Sequence, residues 1–196
     1  MKKFFALSAL AVTFVSSLAF ADAAATIVTD SMIQNVQSVM IRSIQPTALI
    51  NWKVGDTATY TVTLGGLPFG GTMVKAVTKS DDTTITMTQD IDLTIQKQKV
   101  EAVISRADGK ILKLTVNGQD QAIPDDKPEI ISQDVTEIDV PAGHFKAIHI
   151  VAKTKQVSKI EEWANPRDTV MDGALKVIEN AQTVVTLELK TFAQGQ

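Results

Sequence analysis

The stretch TTITMTQDIDLTI (Thr83–Ile95) decides the fold, because its polar and apolar residues alternate with a period of two. Successive side chains of a β-strand point to opposite faces, so the alternation predicts one apolar and one polar face. Only Gln89 interrupts the apolar row. The row consists of Ile85, Met87, Ile91, Leu93 and Ile95. The eleven residues from Ile85 to Ile95 would span roughly 37 Å as a strand, which exceeds the usual strand length. We therefore expect the sheet to curl around this row.

Turn signals on both sides of this stretch predict antiparallel neighbours. Asp108–Gly109 and Asn117–Gly118 are typical of two-residue hairpin turns, whose central residues need positive φ. The segment Ser80–Thr84 closes another hairpin, and the alternating Thr57–Leu64 predicts an earlier strand. Further strands are expected at about 98–106, 110–116, 130–140, 145–155, 158–164, 174–179 and 183–192. These segments predict a meandering antiparallel sheet.

A short amphipathic helix is expected before the first strand. Thr29 or Asp30 can cap it, and Pro46 ends it. Its apolar positions recur at helical spacing and are Met32, Ile33, Val36, Val39, Met40 and Ile44. The helix either lies on the sheet or contributes its methionines to a ligand groove. The predicted fold class is mainly β (α+β). We expect a curled antiparallel sheet or half-open β-barrel (51–196), whose concave face is covered by the helix of segment 22–50.

The first 21 residues have the parts of a secretory signal peptide, namely a positive start, an apolar segment and the small-residue site Ala19–Ala21. Serine and threonine residues weaken the apolar segment as a permanent anchor. We therefore expect cleavage before Asp22, a periplasmic location, and no integral membrane segment afterwards. The chain contains no cysteine, which excludes disulfides and a cysteine-linked lipid. Export without disulfides fits the bacterial periplasm.

The charge of the chain limits its partners. The formal net charge is −3, and loss of Lys2 and Lys3 with no acidic residue makes it −5. A mildly acidic chain with scattered charges argues against nucleic acid and anionic membrane surfaces as partners.

Both histidines lie in EIDVPAGHFKAIHIVAK (Glu137–Lys153). The Pro-Ala-Gly turn predicts a hairpin corner with His144 exposed on it. The following strand is apolar on both faces and therefore central, with His149 packed between Phe145 and Val151. Neither histidine has a second one at metal-ligand spacing, so we expect no metal and no cofactor.

A hydrolase built on His149 and Glu162 is a remote alternative, because a carboxylate that orients a histidine is typical of general-base pairs. However, the chain has no Gly-x-Ser-x-Gly motif. Glu161 and Glu162 should point to opposite faces of their strand and cannot jointly flank one bond. We therefore expect a protein that is not an enzyme.

The segment GGLPFGG (Gly65–Gly71) resembles a phosphate-binding loop only in its glycine content. We expect a loop between the first two strands, with Leu67 and Phe69 exposed at its tip. There they could border a pocket or contact a partner.

Two segments, Thr136–Ile150 and Ile160–Phe192, resemble the C-terminal half of DUF3108-like and TapB-type periplasmic proteins. That family carries V-x-V-P-A-G-x-F, E-W-x-x-P, G-x-V-K and L-x-L motifs. The matching positions here are Val140, Pro141, Ala142, Gly143, Phe145, Glu162, Trp163, Pro166, Gly173, Lys176, Leu187 and Leu189. Trp52–Val62 is similar to the opening strand of the family. The resemblance implies the lipoprotein-carrier (LolA/LolB-like) fold, a half-open barrel with a helix in its apolar concavity.

From these observations we expect a non-enzymatic periplasmic binding or chaperone-like module that presents an apolar concavity. Its occupant would be a lipid, an acyl chain, a lipoprotein or a segment of a protein partner. The candidate lining residues are Met32, Val36, Met40, Leu67, Phe69, Ile85, Met87, Ile91, Leu93 and Ile95. The alternative is a structural or interaction protein whose concavity is filled by its own helix. The two differ in whether the apolar row lines a cavity or packs against that helix.

Overall fold

A computed structural model describes residues 50–68, 70–94, 96–123, 127–181 and 183–196. Within these ranges the chain forms one antiparallel sheet of eleven strands and no helix. The strands are β1 (Thr57–Leu64), β2 (Gly70–Ser80), β3 (Thr84–Leu93), β4 (Lys97–Ser105), β5 (Ile111–Val116), β6 (Gln119–Asp120), β7 (Glu129–Val140), β8 (Gly143–Lys153), β9 (Lys159–Ala164), β10 (Ala174–Asn180) and β11 (Val184–Ala193). The predicted antiparallel sheet is confirmed, whereas the predicted helix lies outside the described residues.

The alternating stretch forms β3, which ends at Leu93, two residues earlier than predicted. The chain turns there, because the backbone N–H groups of Leu93 and Gln96 each donate to the other residue's carbonyl. Asn117 and Gly118 have φ values of 51° and 80° and make the predicted tight turn between β5 and β6. The two-residue turn predicted at Asp108–Gly109 is wrong, because a longer segment, residues 106–110, connects β4 to β5.

Arg106 is the first residue of the β4–β5 connection and donates to three backbone carbonyls. Its backbone N–H donates to the carbonyl of Thr83, in the turn that precedes β3. Its guanidinium donates to the carbonyls of Ile50 and Asp81. The Arg106–Thr83 bond continues the β3–β4 pairing by one residue. The connection is closed by Ser105, whose N–H donates to the Lys110 carbonyl and whose carbonyl accepts the N–H of Gly109.

The sheet consists of two meanders, β1–β6 and β7–β11, which are joined by pairing between β1 and β11. Strands β6 and β7 are therefore the two edges, yet residues 121–128 connect them directly. The nine steps from Asp120 to Glu129 reach at most roughly 32 Å. Eleven flat strands spaced about 4.8 Å apart would separate the edges by roughly 48 Å. The sheet is consequently curled, although no ladder between β6 and β7 closes it within the described ranges.

We call the side of the sheet that the curl encloses the inner face. Its side chains form an apolar layer that crosses neighbouring strands. Ile91 on β3 lies opposite Met73 on β2, and Met73 lies opposite Tyr60 on β1. Tyr60 in turn lies opposite Leu189 on β11, so the layer crosses the junction of the two meanders. All four side chains are buried. Each fully buried large apolar side chain contributes about 1.5–3 kcal/mol to folding, and this layer therefore stabilises the curl.

Candidate functional site

The predicted apolar row lies on the inner face. Ile85, Met87, Ile91 and Leu93 are each at most 3% exposed. Ile85 and Met87 lie opposite Ile104 and Ala102 on β4, so the apolar layer continues there, whereas Ile91 lies opposite the polar Gln98. The other predicted lining residues Met32, Val36, Met40, Phe69 and Ile95 lie outside the described residues. The proposed contact between the row and the helix therefore stays a prediction.

Leu67 differs from its prediction. It lies in the predicted loop between β1 and β2, where its N–H donates to the carbonyl of Leu64. Its side chain is half-buried against the hydrophobic core and is not exposed at a tip. The tight turn folds the side chain back onto the sheet, which an extended loop would not do.

A buried polar cluster interrupts the inner face where Gln89 interrupts the apolar row. Lys75 on β2 lies directly opposite Gln89, and both are buried. The Lys75 Nζ lies 2.8 Å from Oδ2 of Asp172, and the two side chains are 4% and 0% exposed. A buried ion pair of this kind replaces the hydration that both charges lose on folding.

Tyr60 belongs to the same cluster. Its hydroxyl donates to the carbonyl of Ala174 at 3.0 Å. Burial, followed by the nearby charges of Asp172 and Glu162, raises the pKa of Tyr60 well above its ordinary value of 10.0. The phenol is therefore a neutral donor at any physiological pH.

The loop of residues 165–173, between β9 and β10, supplies Asp172. In the sheet order, β1 and β11 separate β2 from β10, which corresponds to roughly 14 Å between flat strands. The Lys75–Asp172 contact therefore requires the curl of the sheet together with an inward fold of the 165–173 loop. Sequence reasoning missed this cluster, and its one available signal was the polar Gln89 in an apolar row.

Asn165 organises the 165–173 loop from within. Its Nδ2 donates to the carbonyl of Lys146 at 2.9 Å and to Oδ2 of Asp168 at 2.8 Å. Its Oδ1 accepts the backbone N–H groups of Arg167 and Asp168. Thr169 Oγ1 donates to the Asn165 carbonyl at 2.6 Å. The side-chain amide of Asn165 thus accepts hydrogen bonds from the backbone N–H groups of the turn and also ties the loop to β8.

The polar cluster ties the 165–173 loop to the sheet. The Lys75 ammonium is held by a carboxylate, and the Tyr60 hydroxyl is directed at a backbone carbonyl. Over the ranges that the structure describes, no group of three His, Cys, Asp or Glu residues could hold a metal ion.

His149 lies on the outer face of β8, opposite the inner face of the sheet. Its ring stacks on Trp163 of β9, with ring centroids 4.4 Å apart and planes 12° apart. The two residues are directly opposite in register. His149 shares a face of β8 with Phe145 and Val151, and the stack on Trp163 adds a cross-strand contact that was not predicted from the sequence. The half-buried ring lies 3.3 Å from an Asp134 carboxylate oxygen.

The pair of His149 and Glu162 that the hydrolase alternative needs is not formed. His149 Nε2 lies 3.5 Å from Oε2 of Glu161, whereas Glu162 is buried on the inner face. The predicted divergence of Glu161 and Glu162 explains this, because adjacent strand residues point to opposite faces. The Lys159 ammonium, 2.7 Å from Glu161, lowers the pKa of that carboxyl below its ordinary value, with His149 a smaller contributor.

His144 is exposed at the β7–β8 corner, as predicted. Asp139 Oδ1 lies 2.9 Å from its Nδ1 and raises the pKa of His144 above 6.5. Protonation therefore favours the hairpin below about pH 6.5, and the contribution is lost as pH rises through the raised pKa.

We expect an NMR titration of His144 to give a higher midpoint than the same titration in Asp139→Asn. Equal midpoints would contradict the contact.

In the part of the chain that the structure describes, no helix is long and apolar enough to cross a membrane. No protein-family model matches the chain, and neither does any curated protein. Among solved structures, it is similar to the one described as the crystal structure of MucB, at 14% identity and a TM-score of 0.41. The match covers 72% of this chain and 54% of the MucB chain, so it spans about half the length of that protein.

Proposed function

We propose that this protein is a non-enzymatic binding protein that takes up the acyl chain of a lipid or lipoprotein on its inner face. The observation that carries the proposal is the apolar layer that contains Ile85, Met87, Ile91 and Leu93. Apolar walls with few polar groups suit a hydrocarbon ligand. The signal-like residues 1–21 and the lack of cysteine support a periplasmic location.

The architecture supports the same proposal. A domain normally buries an apolar sheet face against a second layer, and the described strands supply a single sheet. The curl lets the two halves of the sheet cover part of the face, and the 165–173 loop covers the region around Lys75. An acyl chain that entered the inner face would lie along Ile85, Met87, Ile91 and Leu93, in place of the groups that bury them in the structure.

The polar cluster favours a role for the inner face in binding the hydrocarbon portion only. Lys75 and Tyr60 are the groups that could hold a headgroup, and both are engaged with Asp172 and Ala174. We therefore place no headgroup contact on them. The proposal assigns no catalytic residue to the chain.

An interaction protein with a self-filled concavity is the second candidate. It is favoured by the burial of Ile85, Met87, Ile91 and Leu93, which have almost no area open to solvent. Under the binding proposal, an acyl chain must displace whatever covers these residues. The two candidates therefore differ in whether the row can be made accessible without unfolding.

A binding experiment separates these candidates. The mature chain, stripped of lipid, is titrated with an apolar fluorescent dye and with a fluorescent long-chain fatty acid. Leu93→Gln introduces a buried amide beside the ligand at a cost of about 1–3 kcal/mol, so we expect a roughly 5- to 150-fold loss of affinity. Leu112→Gln, the same change at an exposed position on β5, should leave the affinity unchanged.

The folded state of each variant is checked by circular dichroism before titration, because Leu93→Gln also lowers stability. Saturable binding by the wild type that Leu93→Gln weakens supports the proposal. A folded wild type that binds neither probe at tens of micromolar refutes it and favours the self-filled concavity.

A further inference from the structure

We propose that β7 is a docking edge to which an extended, basic segment of a partner protein adds as a further strand. This strand is the last in the sheet and forms a ladder only with β8 among the described strands. Its twelve residues make it the longest strand described. A long edge strand presents a row of backbone N–H and C=O groups that can pair with another extended chain.

The apolar side chains of β7 support docking. Ile131 is 57% and Val135 is 62% exposed, and Ile130 is also exposed. Buried strands in this sheet hide their apolar residues on one face, whereas β7 leaves Ile130, Ile131 and Val135 in solvent and buries only its last residue, Val140. A partner strand with β-branched residues in register would remove this apolar area from water and form cross-strand pairs.

The negative charge of β7 favours a positively charged partner strand. The strand carries Glu129, Asp134, Glu137 and Asp139 and no basic residue. These four side chains are between 65% and 87% exposed, even though Lys153, His149 and His144 of β8 contact them on one side. Lysine or arginine residues on an incoming strand can reach the open side of these carboxylates, and they would add favourable cross-strand pairs.

A second copy of this chain is a poor occupant of the same edge. In the antiparallel register that places Asp134 opposite itself, Glu129 also falls opposite Asp139, and directly opposed acidic residues are unfavourable. The register shift between Ile130 and Ser132 further bends the edge away from a flat copy of itself. The edge is thus protected against self-pairing and remains open to a strand of opposite charge. This proposal is independent of ligand binding on the inner face.

The test uses the mature chain and a blocked peptide in which lysine alternates with valine and isoleucine. We expect saturable binding, with NMR shift changes concentrated on β7 and β8. Val135→Lys places a like charge against the peptide and should weaken binding by about tenfold or more. Leu112→Lys, which also places a lysine at an exposed apolar position but on β5, should not weaken binding.

Two further measurements separate docking from nonspecific attraction and from self-association. A peptide with glutamate in place of lysine should bind much more weakly. Equal binding of the two peptides, or no saturable binding of the basic one at millimolar concentration, refutes the proposal. A concentration-dependent dimer of the chain that Val135→Lys abolishes also refutes it, because the edge would then serve a second copy.

Discussion

Replacement of Lys75 by methionine should lower the free energy of unfolding by about 3–5 kcal/mol, because it leaves a buried carboxylate without its partner. The Asp172 side chain is 0% exposed, so water cannot replace the lost ammonium without opening the 165–173 loop. Methionine keeps most of the apolar stem of lysine and removes only the charge. The measurement is urea denaturation followed by the fluorescence of Trp52 and Trp163.

Two variants make the cause identifiable. Lys97→Met removes an ion pair with Asp92 whose members are 79% and 54% exposed, and it should cost only about 0–1 kcal/mol. Adding Asp172→Leu to Lys75→Met should recover much of the loss, since an apolar pair often replaces a buried ion pair without penalty. Equal losses for Lys75→Met and Lys97→Met would show that the buried pair does not anchor the loop.

Gly173→Ala should be the second large effect, with a loss of about 2–5 kcal/mol. Gly173 has a φ of 73°, a conformation that costs other residues about 1–2 kcal/mol. An added Cβ would also overlap backbone atoms of Asn165 and Pro166, which cannot move away as a flexible side chain could. Thermal and urea unfolding would measure the loss.

Gly66→Ala is the matched control for this change. Gly66 has a φ of 77°, and nothing lies within 4 Å of the position where its Cβ would be. It should therefore show only the conformational cost of about 1–2 kcal/mol. If the two alanine variants are equally stable, the 165–173 loop is not packed as described. The combination of Lys75→Met and Gly173→Ala should be less than additive, because both changes release the same loop.

Local pattern was enough to predict most of the sheet. The alternation from Thr84 to Leu93 is a property of the pleat, and it placed Ile85 and its row on one face before any partner strand was known. Asn117–Gly118 predicted its turn because these residues tolerate positive φ. The two-residue turn predicted at Asp108–Gly109 is wrong, since the connection runs from residue 106 to 110 and is closed by backbone bonds of Ser105 to Gly109 and Lys110.

The candidate site was predictable only in its apolar part. The divergence of Glu161 and Glu162 follows from the period of a strand, but the stack of His149 on Trp163 depends on the register between β8 and β9. Leu67 was expected to be exposed and is half-buried, because the turn folds its side chain back onto the core. Such outcomes depend on which strands meet, and the period of a single segment does not contain that information.

The sequence was sufficient to predict which side chains of β3 share a face and that Glu161 and Glu162 diverge, because side-chain direction in a strand is a local consequence of the pleat. Tertiary structure was needed to establish that β1 pairs with β11, that β6 and β7 become the two edges of the sheet, and that Lys75 contacts Asp172. These partners are 97 residues apart in the chain, and only the curl together with the inward fold of the 165–173 loop brings their charges into contact. A buried charge requires a partner, but the identity of that partner depends on long-range packing.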